Sequence, residues 1–167
     1  DQVPEELRCL PRPVIGYVGG LHQWVNQDLV AASASRMPHA SFVMVGPAQT
    51  DLSKLAQHPN IHLLGAKSHH DVPRYTKGFD IGMVPYHLSE YTAHVYPTKL
   101  NEYLAMGIPV IATDLPEIRR FNAEHDDPVS VVQDSEQFVQ AIHDALDSNG
   151  VESANRRISV AQGNSWR

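Results

Sequence analysis

A helix that leads straight into a buried strand is predicted by Tyr96-Pro-Thr-Lys-Leu-Asn-Glu-Tyr-Leu-Ala-Met-Gly-Ile-Pro-Val-Ile-Ala-Thr-Asp-Leu-Pro-Glu117. Pro97 suits the first position of a helix, because the N–H that proline lacks has no partner there. Gly107, with Pro109 two residues later, is a typical helix end. The predicted helix therefore spans about residues 97–106, and the apolar run after it is a strand.

Two charged side chains lie on one face of this helix, since Lys99 and Glu102 are three residues apart. The first turn of a helix attracts anions through its free N–H groups and dipole, so a lysine there is unfavourable unless an anion binds beside it. A cation next to a carboxylate suits a nucleotide diphosphate. The alternative is a solvated Lys–Glu pair worth a few tenths of a kcal/mol.

Outward from this stretch, short apolar runs alternate with helical patterns along the chain. The predicted strands are 14–18, 41–45, 61–64, 80–84, 109–112 and 128–132. The predicted helices are 27–36, 51–57, 69–77, 97–106, 115–122 and 135–147. Strict alternation predicts an α/β fold, a doubly wound, Rossmann-like parallel sheet of about six strands, each buried on both faces. Ligands of such sheets bind at the carboxyl ends of the strands.

The loops at those strand ends contain most of the unusual residues. Glycine after a strand lets the backbone approach a ligand closely, although glycine also simply makes turns. The candidate ligand-binding residues in these loops are Gly19, Gly20, Gly46, Gly65, Ala66, Lys67, Tyr86 and Glu90. Together these loops predict one ligand-binding edge of the sheet.

Length and composition indicate one domain in a chain of 167 residues. Residues 1–12 are Pro-rich and charged and are interpreted as a linker, residues 13–148 as the domain, and residues 149–167 as a tail that is either a last helix or disordered. No apolar run approaches the roughly 18 residues of a membrane span, so no transmembrane segment is predicted. The single cysteine, Cys9, fits a reducing compartment, so we expect a cytoplasmic protein.

Several classes of protein are disfavoured. A net charge of −6 argues against nucleic acid as a partner. The dinucleotide pattern Gly-x-Gly-x-x-Gly and the P-loop Gly-Lys-Ser/Thr are absent, as is the Gly-x-Ser-x-Gly turn of hydrolases. The ten histidines show no His-Glu-x-x-His spacing, so neither a metal nor a cofactor is predicted.

The string Pro97-x-Lys99-x-x-Glu102-Tyr-Leu-Ala, continued by Gly107-x-Pro109-Val, carries a family resemblance. It resembles the signature of the C-terminal, donor-binding domain of GT-B glycosyltransferases, in the group that builds bacterial surface polysaccharides. Residues 14–121 follow the order and spacing of that domain. The resemblance implies that the chain is the C-terminal half of a GT-B enzyme.

The resemblance also implies roles for individual residues. Lys99 and Glu102 are the expected catalytic pair: Glu102 accepts hydrogen bonds from the donor ribose, while Lys99 holds the diphosphate together with Pro97 and Thr98. The loops that contain Gly46 and Gly65 to Lys67 embrace the base. Tyr86 and Glu90 approach the sugar or the phosphates. Charge on the leaving nucleotide diphosphate is stabilised without an essential metal.

Two departures from the family pattern place more weight on Lys99. Many relatives have a glutamate eight positions before Glu102, where this chain has His94. Many also follow the first strand with Gly-Arg-x4-Lys, whereas here Gly20 is followed by uncharged residues as far as Gln27. Phosphate binding is therefore expected to depend chiefly on Lys99.

The expected partners follow from the resemblance: a UDP- or GDP-linked sugar donor, an N-terminal acceptor-binding domain missing from this chain, and a saccharide or lipid-linked acceptor. This chain alone is expected to be inactive, and the whole enzyme is expected to reach the inner face of the membrane through its other half. Two alternatives stay open. One is a nucleotide-sugar epimerase domain, and the other is a non-catalytic interaction module of the same fold.

Overall fold

The computed structural model describes residues 2–164, which form a parallel sheet flanked by helices. Within those residues the strands are β1 Val14–Val18, β2 Ser41–Val45, β3 Ile61–Gly65, β4 Ile81–Val84, β5 Val110–Thr113 and β6 Val129–Val132. Their order in the sheet is β3-β2-β1-β4-β5-β6, and every pair is parallel. The predicted doubly wound, Rossmann-like sheet is confirmed, and its strand order reverses between β1 and β4.

The helices include all six that the sequence predicts. They are α1 Glu5–Arg8, α2 Gln27–Arg36, α3 Ser53–Ala56, α4 Val72–Thr76, α5 Glu90–Ala93, α6 Lys99–Ala105, α7 Pro116–His125, α8 Ser135–Ser148 and α9 Val151–Asn164. The prediction missed α1 and α5, because four residues are too few to show a helical period. Helices α3, α4 and α6 are shorter than predicted at both ends, where boundaries are least certain from a pattern.

The prediction that all six strands are buried on both faces is wrong for β3 and β6. Residues 62–64 of β3 are half-buried, while Ser130 and Val131 of β6 are exposed. Both strands lie at the edges of the sheet, so each has a neighbouring strand on one side only. The four inner strands are fully buried, as a parallel sheet covered on both faces requires.

The two terminal segments pack against the domain. In the leading segment, predicted to be a linker, Leu7 of α1 is fully buried and Arg12 donates a hydrogen bond of 2.9 Å to Asp80; Asp1 lies outside the described residues. The predicted tail forms α9 as far as Asn164, and α9 packs on α6. Residues 165–167 of that tail lie outside the described residues.

Helix α6 is held at its C-terminal end by a motif that the sequence predicts. Gly107 has φ +74°, its N–H donates to Leu104, and the N–H of Ile108 donates to Tyr103. These are the two bonds of a Schellman motif, for which glycine is the preferred residue. At the other end Pro97 precedes the helix, rather than opening it as predicted, because Thr98 is the N-cap; the Pro97 carbonyl accepts from Leu100 at 3.0 Å.

Tyr103 anchors α6 to the point where the sheet order reverses. Its hydroxyl accepts from the N–H of Val18 in β1 and donates to the carbonyl of Met83 in β4, each at 3.2 Å. Its ring lies against Gly82, where an added Cβ would come within 2.6 Å of it. Burial raises the pKa of the Tyr103 phenol, so the hydroxyl stays protonated and can donate. Lys99, one turn earlier on α6, is thereby placed at the end of β1.

Tyr103→Phe is expected to lower the free energy of unfolding by about 1–3 kcal/mol, because Val18 and Met83 would keep buried polar groups without a partner. Urea denaturation followed by circular dichroism measures this change. Tyr91→Phe is the matched control, since it removes the same hydroxyl from a side chain that is 58% exposed. Equal midpoints for the two variants would contradict the anchoring role.

Candidate functional site

A cavity of about 350 Å³ opens at the carboxyl ends of β1 and β2. Five segments contribute to its walls: the ends of these two strands, the loop after β3, the start of α4, and α6. The lining residues are Val18, Gly19, Gly20, Val45, Gly46, Pro47, Lys67, His69, Val72, Thr98, Lys99 and Glu102. The cavity lies beside the switch in strand order, where ligands of this architecture bind.

Lys99 is the central cation of the cavity. Its Nζ donates a hydrogen bond of 2.5 Å to the hydroxyl of Tyr86. The same Nζ lies 5.2 Å from the centre of the Tyr17 ring and 5.1 Å from that of Tyr86. The distance to Tyr17 is within cation–π range, whereas the distance to Tyr86 follows from the contact with its hydroxyl at the edge of the ring. The ammonium group therefore has a defined position, and the hydroxyl satisfies only one of its three donors.

Tyr17 and Tyr86 form the seat of Lys99. Their rings meet edge to face, with centroids 6.4 Å apart. The Tyr17 hydroxyl donates to the carbonyl of Gly20 at 3.0 Å, which joins this seat to the loop after β1. Burial and the neighbouring Tyr86 raise the pKa of Tyr17, so its phenol stays neutral. Sequence reasoning missed Tyr17, because a tyrosine in a buried strand has no feature that distinguishes it from a core residue.

Gly19 and Gly46 bring the loops after β1 and β2 into direct contact. A Cβ at Gly46 would lie 1.8 Å from the carbonyl oxygen of Gly19, so no side chain fits there. Gly19 has φ +139°, and a Cβ at that position would lie 3.0 Å from Cε and 3.3 Å from Nζ of Lys99. The absence of side chains at these two positions leaves backbone facing the lysine, as the close approach of a phosphate requires.

Glu102 and Thr98 form the outer rim of the cavity. Both residues are exposed, and Glu102 follows Lys99 by three positions on α6, on the same face of the helix. A carboxylate on this rim can accept hydrogen bonds from hydroxyl groups of a ligand whose anionic part contacts Lys99. Lys99 and Glu102 are therefore placed so that each could contact a different part of one ligand.

Lys67 lines the cavity from the loop after β3 and is tied to the leading segment. Its Nζ lies 3.4 Å from the carboxylate of Glu6 and 5.2 Å from the centre of the Tyr75 ring. The Tyr75 hydroxyl also donates to Glu6, and this hydrogen bond lowers the pKa of the Glu6 carboxyl. Helix α1 thus supports one wall of the cavity.

Seven of the predicted donor-site residues line the cavity, namely Gly19, Gly20, Gly46, Lys67, Thr98, Lys99 and Glu102. The other five occupy different places. Tyr86 accepts a hydrogen bond from Lys99 but does not line the cavity. Pro97 is buried and precedes α6 in the sequence. Gly65 supports the loop after β2 by accepting a bond of 2.9 Å from the N–H of Gly46, while Ala66 and Glu90 are exposed outside the cavity.

The cavity wall also includes residues that the sequence reasoning did not single out: Val18, Val45, Pro47, His69 and Val72. Val18 and Val45 end β1 and β2, Pro47 follows Gly46, and Val72 begins α4. The three valines and Pro47 offer apolar contact area beside the glycines, whereas His69 contributes an imidazole. Within residues 2–164, no group of three or more His, Cys, Asp or Glu side chains could hold a metal ion. Nor does any helix in that range have the length and apolar character needed to cross a membrane.

The amino-acid sequence matches known proteins over most of its length. The profile of a family described as "Glycosyl transferases group 1" covers residues 12–148. TuaH of Bacillus subtilis (strain 168), provisionally named a teichuronic acid biosynthesis glycosyltransferase, is 30% identical over 165 residues. That alignment includes 92% of this chain and 40% of TuaH. The chain therefore spans less than half the length of this relative.

Solved structures share the fold at low identity. Anabaena HepE, determined in complex with UDP-glucose, has a TM-score of 0.73 and 16% identity, over 96% of this chain and 45% of HepE. Sucrose-phosphate synthase from Thermosynechococcus elongatus has a TM-score of 0.73 and 18% identity, over 97% of this chain and 45% of that protein. The sheet and its helices are therefore those of a GT-B glycosyltransferase domain.

Proposed function

Because this chain belongs to the group 1 glycosyl transferase family, we propose that it is the donor-binding, C-terminal half of a GT-B enzyme. The proposed donor is a nucleotide-diphosphate sugar, and residues 13–148 are the proposed donor domain. Of the UDP and GDP forms, UDP is favoured, since HepE has been solved with UDP-glucose. The name of TuaH supports a role in surface polysaccharide synthesis. The proposed acceptor is a saccharide or a lipid-linked saccharide.

The seat of Lys99 is the observation that carries this proposal. An ammonium group is held by Tyr86 between two aromatic rings, and it faces a wall of glycine backbone. A preorganised cation in a partly enclosed cavity interacts more strongly with phosphate than a solvated one. A diphosphate between Lys99 and the Gly19 loop satisfies the two remaining ammonium donors.

The proposed chemistry divides between Lys99 and Glu102. During transfer, an acceptor hydroxyl oxygen bonds to the anomeric carbon, the bond from that carbon to the diphosphate oxygen breaks, and the hydroxyl proton passes to a base. Lys99 stabilises the negative charge that develops on the departing diphosphate. Glu102 accepts hydrogen bonds from the ribose, which fixes the nucleotide in register with the lysine.

The base and the main acceptor-binding surface are assigned to a domain outside this chain. GT-B enzymes work in a cleft between two domains, and the chain spans 40% of TuaH and 45% of HepE. We therefore expect this chain to bind nucleotide but not to transfer sugar by itself. Association with the cytoplasmic face of a membrane is likewise proposed for the whole enzyme.

Calorimetric titration with UDP, GDP, ADP and TDP tests the proposal, and UDP is expected to bind most tightly. Glu102→Gln is expected to weaken UDP binding about tenfold, because the neutral amide replaces a charged acceptor of the ribose hydroxyls. The loss should disappear with 2′,3′-dideoxy-UDP, which lacks both hydroxyl groups. Glu152→Gln, an exposed substitution on α9, is the matched control and should leave binding unchanged.

Two results would contradict the proposal. One is the absence of a measurable heat of binding with all four nucleotides, which would mean that the cavity does not bind a nucleoside diphosphate. The other is an equal loss of affinity for UDP and for its dideoxy form in Glu102→Gln. That result would show that Glu102 does not act through the ribose hydroxyl groups.

A further inference from the structure

Three aromatic rings contact one another in a row beside the cavity that contains Lys99, which we call the donor cavity. The rings of His22 and Trp24 are nearly parallel, with centroids 3.9 Å apart and an interplanar angle of 20°. Tyr91 extends the stack, with its centroid 4.9 Å from that of Trp24. We call His22, Trp24 and Tyr91 the aromatic platform. Its outer member is open to solvent, since Tyr91 is 58% exposed.

Backbone hydrogen bonds hold the platform in place. The loop after β1 and the loop after β4 are joined by a bond of 2.7 Å from the N–H of His87 to the carbonyl of Trp24. A capping box between Ser89 and Thr92 fixes the start of α5, the helix that carries Tyr91. The rings are therefore preorganised by two loops, so binding requires little new ordering.

A second cavity, of about 420 Å³, lies on the platform. Its lining residues are Gln23, Trp24, His87, Ser89 and Tyr91. The aromatic side chains of Trp24 and Tyr91 in this lining thus have an amide, an imidazole and a hydroxyl group beside them, which donate and accept hydrogen bonds. No lysine or arginine belongs to this lining. Aromatic faces with neutral polar groups at the edge suit a neutral sugar, whose ring has C–H bonds on its face and hydroxyl groups around it.

The platform begins where the donor cavity ends. A Cβ at Gly20, which lines the donor cavity, would lie 2.6 Å from Nε2 of His22. On the other loop, His87 directly follows Tyr86, the residue that binds Lys99. The loops after β1 and β4 therefore connect the two cavities, with Gly20 and His22 close together on one loop and Tyr86 and His87 adjacent on the other.

We propose that the aromatic platform binds the acceptor, by stacking the exposed face of Tyr91 against the apolar face of a neutral pyranose ring, while Trp24 lies between His22 and Tyr91, supports the Tyr91 ring and lines the cavity. This assignment rests on the proposed donor function, since an acceptor must lie next to the departing diphosphate. His87, Ser89 and Gln23 bind its hydroxyl groups. The platform would make this half of the enzyme a contributor to acceptor recognition, in addition to donor binding.

The test uses this chain with UDP, UDP-glucose and two neutral probes, methyl β-D-glucopyranoside and methyl β-D-galactopyranoside, followed by NMR shift titration. At least one glycoside is expected to shift the indole N–H of Trp24. Tyr91→Ala is expected to weaken that binding about fivefold or more, as loss of an aromatic stacking partner does. Trp24→Ala removes the support of Tyr91 and should abolish glycoside binding; because this variant lacks the indole, its binding is followed through the backbone N–H of Ser89, which lines the same cavity. Leu88→Ala, an equally exposed apolar residue outside the lining, is the matched control and should have no effect.

UDP and UDP-glucose separate the possible outcomes. Unchanged binding of both in Tyr91→Ala, together with loss of glycoside binding, supports the acceptor assignment. Weaker binding of UDP-glucose but not of UDP would assign the platform to the donor sugar and overturn it. UDP binding by the wild-type chain with no response to either glycoside would overturn the inference but not the proposed function. Failure of UDP to bind would overturn the donor function and the acceptor role together.

Discussion

Lys99→Ala is expected to weaken UDP binding roughly thirtyfold, which corresponds to about 2 kcal/mol for the loss of a charge-assisted hydrogen bond to phosphate. The effect should be large because the ammonium group is held in place before the ligand arrives, by Tyr86 at 2.5 Å and by the ring of Tyr17. Calorimetry with UDP measures the change. Uridine, which lacks phosphate, should bind the wild type and the variant equally.

Lys54→Ala provides the comparison for this substitution. It removes the same charge from α3, where the lysine side chain is 62% exposed and lies outside the donor cavity. Its ion pair with Asp28 is solvated and contributes little to stability. If Lys54→Ala and Lys99→Ala weakened UDP binding equally, overall charge rather than the seat of Lys99 would be responsible. If Lys99→Ala also lowered the affinity for uridine thirtyfold, the substitution would have disrupted the cavity as a whole.

Gly46→Ala is expected to lower the free energy of unfolding by about 3 kcal/mol or more, through overpacking and backbone strain. The added methyl group would lie 1.8 Å from the carbonyl oxygen of Gly19. Because this neighbour is backbone, no side-chain rotation relieves the clash, and the loops after β1 and β2 must separate. Chemical denaturation measures the change in stability. In the fraction that stays folded, UDP binding should also weaken, since Gly19 and Lys99 line the same cavity.

Gly150→Ala tests whether the effect belongs to this position or to glycine substitution in general. Gly150 lies between α8 and α9, and an added Cβ there meets no atom within 4 Å. We expect a change within about 0.5 kcal/mol, as is usual for substitutions on an open surface. A Gly46→Ala protein as stable as Gly150→Ala would show that the two loops tolerate separation, contrary to the close contact described above.

Much of the fold could be predicted from local pattern. The apolar runs at 14–18 and 41–45 coincide with β1 and β2, and the helix at 27–36 coincides with α2, because each buries a face with a regular period. The edge positions of β3 and β6 could not be predicted. Strand order depends on which strands pair across the sheet, and the burial pattern of one strand does not specify its neighbours.

The candidate site, like the fold, could be predicted from local pattern only in part. Lys99 and Glu102 could be placed together from their spacing on one helix, because residues three apart share a face. Tyr17 could not be found in this way, since it approaches Lys99 from a strand that lies 82 positions earlier in the chain. The structure places the hydroxyl of Tyr86 on Nζ of Lys99, and the approach of Tyr86 to the ligand stays a prediction.

The elements of this protein follow from its amino-acid order alone: a parallel α/β sheet, glycine-rich loops at one edge, and a short helix that presents a cation and a carboxylate. Those features follow from local sterics and from the periodic burial of apolar side chains. Their combination is visible only in the folded molecule, with Lys99 between two tyrosines, Gly46 against Gly19, and Trp24 beside Tyr91. Such contacts join residues distant in the chain, and they form because close packing of the whole sheet brings its loops to one edge.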